Sequence, residues 1–99
     1  MIVTIAAEAE ADLEQIADHI AQDNPARALS FLKELRDRCE RLADLPEGFP
    51  LVPRYEHLGI RRRVYGSYLI FYRVRAAEIE VLHILHGAMN YEPLLFPEG

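Results

Sequence analysis

The chain has 99 residues, of which 51% are apolar and 27% charged, with a net charge of −5 and a single cysteine. That balance excludes a disordered chain, a collagen-like repeat and a coiled-coil rod, and one cysteine cannot form the internal disulfides of a stapled secreted scaffold. No apolar run approaches the roughly 20 residues that span a bilayer. No basic start followed by an apolar stretch marks a secretory signal, so a soluble, cytoplasmic protein is expected. The four histidines are scattered and give no zinc spacing, so neither a metal nor a cofactor is expected. A single domain over residues 1–99 leaves little room for a deep active-site cavity, which points to binding of a large partner.

Charge is unevenly spread. Residues 1–48 hold 11 acids and 5 bases, a net of −6, whereas residues 49–99 hold 5 acids and 6 bases, a net of +1. Five of those six bases fall between Arg61 and Arg75. An acidic chain is repelled by nucleic acid at long range, so any phosphate contact has to be local or made through a protein partner.

In chain order, Ile2-Val3-Thr4-Ile5 is a β-branched run that predicts a short strand over residues 1–5. From residue 6 to about residue 22, Ala9, Leu13, Ile16, Ala17 and Ile20 recur on one face of an amphipathic helix. Glu8, Glu10, Asp12 and Glu14 lie near its start, where the helix dipole favours negative charge. Asp23-Asn24-Pro25 breaks and restarts the chain, with Asn24 as N-cap and Pro25 at the first helical position. The second helix is expected to run to about residue 44 and to bury Ala28, Phe31, Leu32, Leu35, Cys39 and Leu42. So short a connection makes the two helices an antiparallel hairpin.

Residues 45–59 carry Pro46, Gly48, Pro50, Pro53 and Gly59 and read as a loop. Three strands follow, over residues 61–65, 68–75 and 78–86. Gly66-Ser67 joins the first two as a two-residue turn with glycine first, and Ala76-Ala77 joins the next two. Gly87 ends the last strand, and residues 88–99 form a tail containing Pro93 and Pro97. The order β-α-α-β-β-β describes an α+β domain with a helical hairpin packed on one face of an antiparallel sheet. The last three strands form a meander, and the first is expected to join the same sheet.

Several of these segments together resemble a known family. They are Ala9-Glu10-Ala11-Asp12-Leu13-Glu14-Gln15-Ile16 in the first helix, Asp23-Asn24-Pro25-Ala26-Arg27-Ala28 opening the second, and Leu42-Ala43-Asp44-Leu45-Pro46 with Gly48 closing it. Arg62, then Tyr65-Gly66-Ser67-Tyr68-Leu69-Ile70-Phe71-Tyr72-Arg73-Val74, and last Val81-Leu82-His83-Ile84-Leu85-His86-Gly87 complete the set. In this order the chain resembles the ParE branch of the RelE/ParE superfamily over residues 1 to about 91. The resemblance implies the toxin of a type II toxin–antitoxin pair of the plasmid-stabilisation kind. It implies DNA gyrase as target and a ParD-like antitoxin, with a DNA-binding ribbon-helix-helix end and a tail that wraps the toxin. The RelE branch, which cleaves messenger RNA on the ribosome, supplies the alternative. This chain departs from the superfamily in being acidic and in lacking basic residues at Met89-Asn90-Tyr91-Glu92, so no direct sequence-specific nucleic-acid binding and no membrane contact is expected.

In the gyrase reading the protein does no chemistry of its own, and the contact surface is expected at Arg61, Arg62, Arg63, Arg73 and His86. Arg61 and Arg63 point one way with Tyr65, and Arg62 the other way with Val64. Arginine beside tyrosine is what interface hot spots use, although salt bridges to Glu56, Glu78, Glu80 or a tail carboxylate would equally occupy these side chains. In the ribonuclease reading, Arg62 and Arg73 hold phosphate while His86 and Tyr91 move protons. The bland counterpart is that the arginines decorate a solvated strand and His86 packs on a turn. Alternation puts His83 and His86 on opposite faces, which excludes a shared metal, and places His83 with Ile79, Val81 and Leu85 at a core edge. His19 and His57 read as surface residues. Cys39 reads as a small buried hydrophobe. The apolar Leu94-Leu95-Phe96 either packs back on the domain or offers a segment for a partner.

Overall fold

The computed structural model describes residues 1–96; Pro97, Glu98 and Gly99 of the expected tail lie outside the described residues. Strand β1 (Ile2–Ile5) leads into helices α1 (Ala7–Ala21) and α2 (Pro25–Glu40). A 3-10 turn at Arg41–Asp44 and another at Glu56–Leu58 frame the long loop. Strands β2 (Ile60–Tyr65), β3 (Tyr68–Arg75) and β4 (Glu78–His86) follow, and α3 (Glu92–Leu95) is a single turn in the tail. The second helix stops four residues short of the expected end, because its last turn tightens into the 3-10 turn.

The restart between the helices is built as the residues require. The Asn24 side chain accepts the Arg27 N–H at 3.1 Å, and Pro25 opens the helix where no N–H is needed. The hairpin is further held by Arg36, whose guanidinium donates to Glu10 at 2.8 Å from one helix to the other. That ion pair holds the Glu10 carboxyl below its ordinary range.

The sheet has the strand order β1-β4-β3-β2. β2, β3 and β4 form the expected antiparallel meander, with Tyr65 opposite Tyr68 and Arg75 opposite Glu78 across the two turns. β1 joins at the far edge and runs parallel to β4, from Ile2 opposite Glu78 to Ile5 opposite Val81. Gly66 has φ 58°, the left-handed value that its turn needs. Ala76 takes φ 53° in the second turn without the freedom of glycine.

One irregularity sets the geometry of the whole molecule. Phe71 lies opposite His83 but Tyr72 lies opposite Val81, so Leu82 is an extra residue in β4. Such a bulge shifts the alternation of side chains by one residue. Ile79 and Val81 before it face the helices, and so does Ile84 after it, whereas Leu82 and Leu85 face the other side. The expected grouping of His83 with Ile79, Val81 and Leu85 on one face is thereby corrected, since those three no longer share a face.

Two apolar layers result. The helix-covered face buries Leu13, Leu35, Leu42, Ile70, Tyr72 and Ile79, among others. The opposite face buries Val52, Ile60, Leu69, Phe71, Leu85 and Phe96 under the long loop and the tail. Leu95 and Phe96 thus pack back on the domain, while Leu94 stays half exposed.

Candidate functional site

The arginine run is divided by the sheet, as alternation requires. Arg61 and Arg63 stand opposite Tyr72 and Ile70 on the helix-covered face. There both heads are occupied by backbone oxygens. Arg61 donates to the Phe49 carbonyl at 2.8 Å and the Glu47 carbonyl at 3.2 Å, and Arg63 donates to the Arg38 carbonyl at 3.2 Å. The Arg63 guanidinium also lies 4.8 Å over the Phe49 ring. Together with Tyr72, whose hydroxyl donates to the Pro46 carbonyl at 2.8 Å, these side chains clamp the loop after α2 to the sheet. Carbonyls carry no side-chain signal, so this role was not visible in the sequence.

Arg62 and Arg73 are on the other face. Arg62 stands opposite Phe71 and donates to the Tyr91 hydroxyl at 2.9 Å. Arg73, opposite Ile60 and hence one diagonal step from Arg62, pairs with Glu80 at 2.8 Å. The tail is pinned beside them: Glu92 accepts from Arg54 at 2.8 Å and from the Tyr55 hydroxyl at 2.9 Å. Tyr55 stacks flat on Phe96 with ring centres 3.6 Å apart. The Glu92 carboxylate beside the Tyr55 hydroxyl raises its pKa, because it accepts from the neutral phenol and repels the phenolate.

His86 is elsewhere. It pairs with Tyr68 on the helix-covered side, edge-on to that ring at 5.3 Å. Its Nδ1 accepts the Ala88 N–H at 3.1 Å, which leaves Nε2 as the outward nitrogen. Of the expected catalytic set, Arg62, Arg73 and Tyr91 share a face, and His86 stands on the opposite one. Among the described residues no group of three or more His, Cys, Asp or Glu side chains is placed to hold a metal ion. Cys39 is fully buried, and burial pushes its thiol up to about 12, which makes it inert as a nucleophile.

Asp12 is the residue whose role the sequence concealed. As one of several acids in α1 it looked like a dipole partner. One of its carboxylate oxygens instead accepts the Ile84 N–H at 2.9 Å and meets His83 Nδ1 at 2.8 Å, both just past the bulge in β4. It fastens α1 to the sheet at the point where β1 has ended. His83 and His86 stay on opposite faces of β4, as alternation requires, yet both reach the lining of one cleft of about 330 Å³ at the end of the strand. Helical spacing gave no hint of a partner 71 residues away in sequence.

Residues 3–91 match the family described as the ParE toxin of the type II toxin–antitoxin system parDE. The chain belongs to this family of toxins. A curated relative, Toxin ParE1 of Caulobacter vibrioides, is 32% identical over 83 residues, which cover 83% of this chain and 84% of the relative. A solved structure of the chromosomal ParDE toxin–antitoxin system from P. aeruginosa superposes with a TM-score of 0.73 at 25% identity, covering 87% of this chain and 95% of that one. The α+β fold expected from the residues is the fold of that neighbour. None of the described helices is long and apolar enough to cross a membrane.

Proposed function

We propose that this ParE-type toxin acts in the cytoplasm by binding DNA gyrase and letting gyrase's own DNA cleavage persist, and that a ParD-like ribbon-helix-helix antitoxin neutralises it. The family match over residues 3–91 supports the toxin class, and one observation favours binding over catalysis. His86, the group best suited to proton transfer, is separated by the sheet from Arg62, Arg73 and Tyr91. A base and a phosphate clamp on opposite faces cannot act on one phosphodiester. The target contact is assigned to Arg62 and Arg73, which share the tail-bearing face and are held by the side chains of Tyr91 and Glu80, whereas Arg61 and Arg63 hold backbone carbonyls of the fold itself.

The test uses purified, antitoxin-free protein, relaxed plasmid and gyrase. The expected result is loss of supercoiling with linear DNA trapped after protein removal. Arg62→Ala should weaken the effect at least about tenfold, the loss typical of an interface hot spot, while His86→Ala leaves it in place. Normal supercoiling at large excess of folded toxin overturns the gyrase reading. The ribosome-dependent endonuclease reading keeps one supporting contact, the Arg62–Tyr91 hydrogen bond, and it requires Tyr91→Phe to abolish messenger RNA cleavage.

A further inference from the structure

Arg62, assigned above to target contact, is already occupied by the chain's own tail. The Tyr91 hydroxyl accepts from it at 2.9 Å, and the Tyr91 and Phe71 rings lie with centres 4.8 Å apart. Next in sequence, Glu92 accepts from Arg54 at 2.8 Å and from the Tyr55 hydroxyl at 2.9 Å. Glu92 is the only charged residue from Ala88 to Phe96, and it lands on an arginine whose side chain is 77% exposed. Phe96 then closes over the Tyr55 ring. A phenol, a carboxylate and apolar side chains thus fill a face made of arginines, a tyrosine and an apolar floor.

The tail is attached as a flap. Residues 86–90 are all exposed, and Gly87 and Ala88 among them are small. The Gly87 N–H donates to the Ser67 carbonyl at 2.8 Å, which ties the start of the tail to the sheet. Beyond Met89, the tail's main-chain bonds among the described residues close on the tail itself, from Leu94 and Leu95 to the Tyr91 carbonyl and from Phe96 to the Glu92 carbonyl. Packing beneath it is incomplete. A cleft of about 320 Å³ remains between Leu94 and Leu95 of the tail and Ile60, Arg73 and Leu82 of the sheet. A cover held through side chains opens locally without unfolding the core. What lies under it suits a peptide better than a nucleic acid. Val52, Ile60, Leu69 and Phe71 offer an apolar floor, and Arg73 is paired with Glu80 at 2.8 Å, so no row of free cations awaits a phosphate backbone.

We propose that the tail is an autoinhibitory cover. Tyr91 and Glu92 hold the place of an acidic, aromatic segment of the protein target, and the toxin engages that segment only after the tail swings away about residues 87–90. Closed chains do not bind, so the apparent affinity for the target falls by the fraction that is open. A tethered tail competes at high effective concentration, which keeps it closed although each of its contacts is weak. The inference rests on the gyrase reading above and adds to it the chemistry of the segment recognised and a control built into the same chain.

The test locks the cover shut. The double variant Gln15→Cys, Leu94→Cys puts two thiols on the lining of one cleft, at positions that take no part in the grip on Arg54 and Arg62. A short bismaleimide with an internal disulfide then ties the tail to α1, and the buried Cys39 does not compete for it. The bridged chain is expected to poison gyrase at least about tenfold less well than the same chain after reductive cleavage. Glu92→Ala should poison it about threefold better than wild type, the effect of losing an exposed ion pair. A second arm does without gyrase. The capped hexapeptide Tyr-Glu-Pro-Leu-Leu-Phe, the chain's own residues 91–96, is titrated and followed by backbone amide NMR. It should bind Glu92→Ala more tightly than wild type, shift the Arg62 amide, and leave the bridged chain unshifted. Equal poisoning by bridged and cleaved chains, a loss of potency in Glu92→Ala, or equal peptide binding to bridged and cleaved chains each overturns the proposal. So does the absence of peptide binding to Glu92→Ala at millimolar concentration, or tighter binding there of a thymidine octanucleotide. A responding peptide with no form of the chain poisoning gyrase would sink the gyrase reading alone. A gyrase poison indifferent to the bridge would sink this inference alone.

Discussion

The two faces of the sheet are built from similar residues and covered in different ways. On one, two helices of 15 and 16 residues bury Leu13, Leu35, Leu42, Ile70, Tyr72 and Ile79, each at most 1% exposed. On the other, Val52, Ile60, Leu69, Phe71, Leu85 and Phe96 lie under an irregular loop and one turn of helix. The first cover is continuous with the fold, because α1 and α2 are joined to each other and to the sheet by apolar contact. The second is irregular chain, tied to β2 by main-chain bonds between Val52 and Ile60 and between Arg62 and Pro50, and its tail is held by a few side-chain contacts: Arg54 and Tyr55 on Glu92, Arg62 on Tyr91, and the stack of Tyr55 on Phe96. A cover of that kind opens at a lower free energy than the core beneath it. The face that carries Arg62 and Arg73 is therefore the face whose cover lifts more easily, which suits the target contact proposed above.

The sharpest way to break this contrast is to damage the helix-covered side. Leu35→Ala removes a fully buried side chain from the centre of that layer and should cost about 2–5 kcal/mol. Urea unfolding should show a lower midpoint with an unchanged slope, since the same surface is still exposed on unfolding. A loss under about 1 kcal/mol would mean that the hairpin is not the main source of stability.

The contrast also marks what could be read from the sequence. The helices and the meander were legible because their periods of 3.6 and 2 are carried by Leu13, Ile16, Leu35 and by Leu69 to Val74 themselves. The parallel placement of β1 beside β4 was not, since nothing in Ile2-Val3-Thr4-Ile5 says which edge it joins. The bulge at Leu82 was hidden for a different reason. Glu78 to His86 reads as an unbroken strand, and only the pairing of Phe71 and Tyr72 reveals the extra residue. The anchoring role of Asp12 was hidden as well, because its partners His83 and Ile84 lie 71 and 72 residues away in sequence. The arginine run was legible as two faces but not as two functions, because the oxygens that hold Arg61 and Arg63 belong to the backbone.

A second prediction probes the loosely covered face. Burial alone would make Phe96→Ala cost about 3–5 kcal/mol. A cover that lifts locally limits the loss to about 1–2 kcal/mol, because the rest of the fold stands without it. Hydrogen exchange separates the cases. The Val52 and Tyr55 amides, bonded to the Ile60 and Val52 carbonyls, should exchange faster in the variant, while Ile79 and Val81 keep their protection. Faster exchange through β4 as well would show that loop and tail belong to the same cooperative unit as the helices.

The smallest effect sharpens the comparison through pH. Cys39, on the helix-covered side, has its thiol pushed from 9.0 to about 12, chiefly by burial. A group whose folded pKa is raised contributes stability that is fully present below its unfolded value and lost as pH rises toward the folded one. Stability should therefore begin to fall near pH 9.0 and continue to fall toward about 12, because the unfolded thiol ionises first. By about pH 10 the loss should be on the order of 1 kcal/mol. Tyr72, also raised chiefly by burial, adds to the slope only above its ordinary value of 10.0. Cys39→Ala should consequently remove the lower part of the alkaline slope and keep the upper part, measured as urea midpoints across that range. On the looser face Tyr55 is raised mainly by its hydrogen bond to Glu92 and remains partly open to water, so Tyr55→Phe should leave the slope nearly unchanged. If instead Cys39→Ala keeps the wild-type slope and Tyr55→Phe abolishes it, the burial that distinguishes the two faces has been assigned to the wrong side.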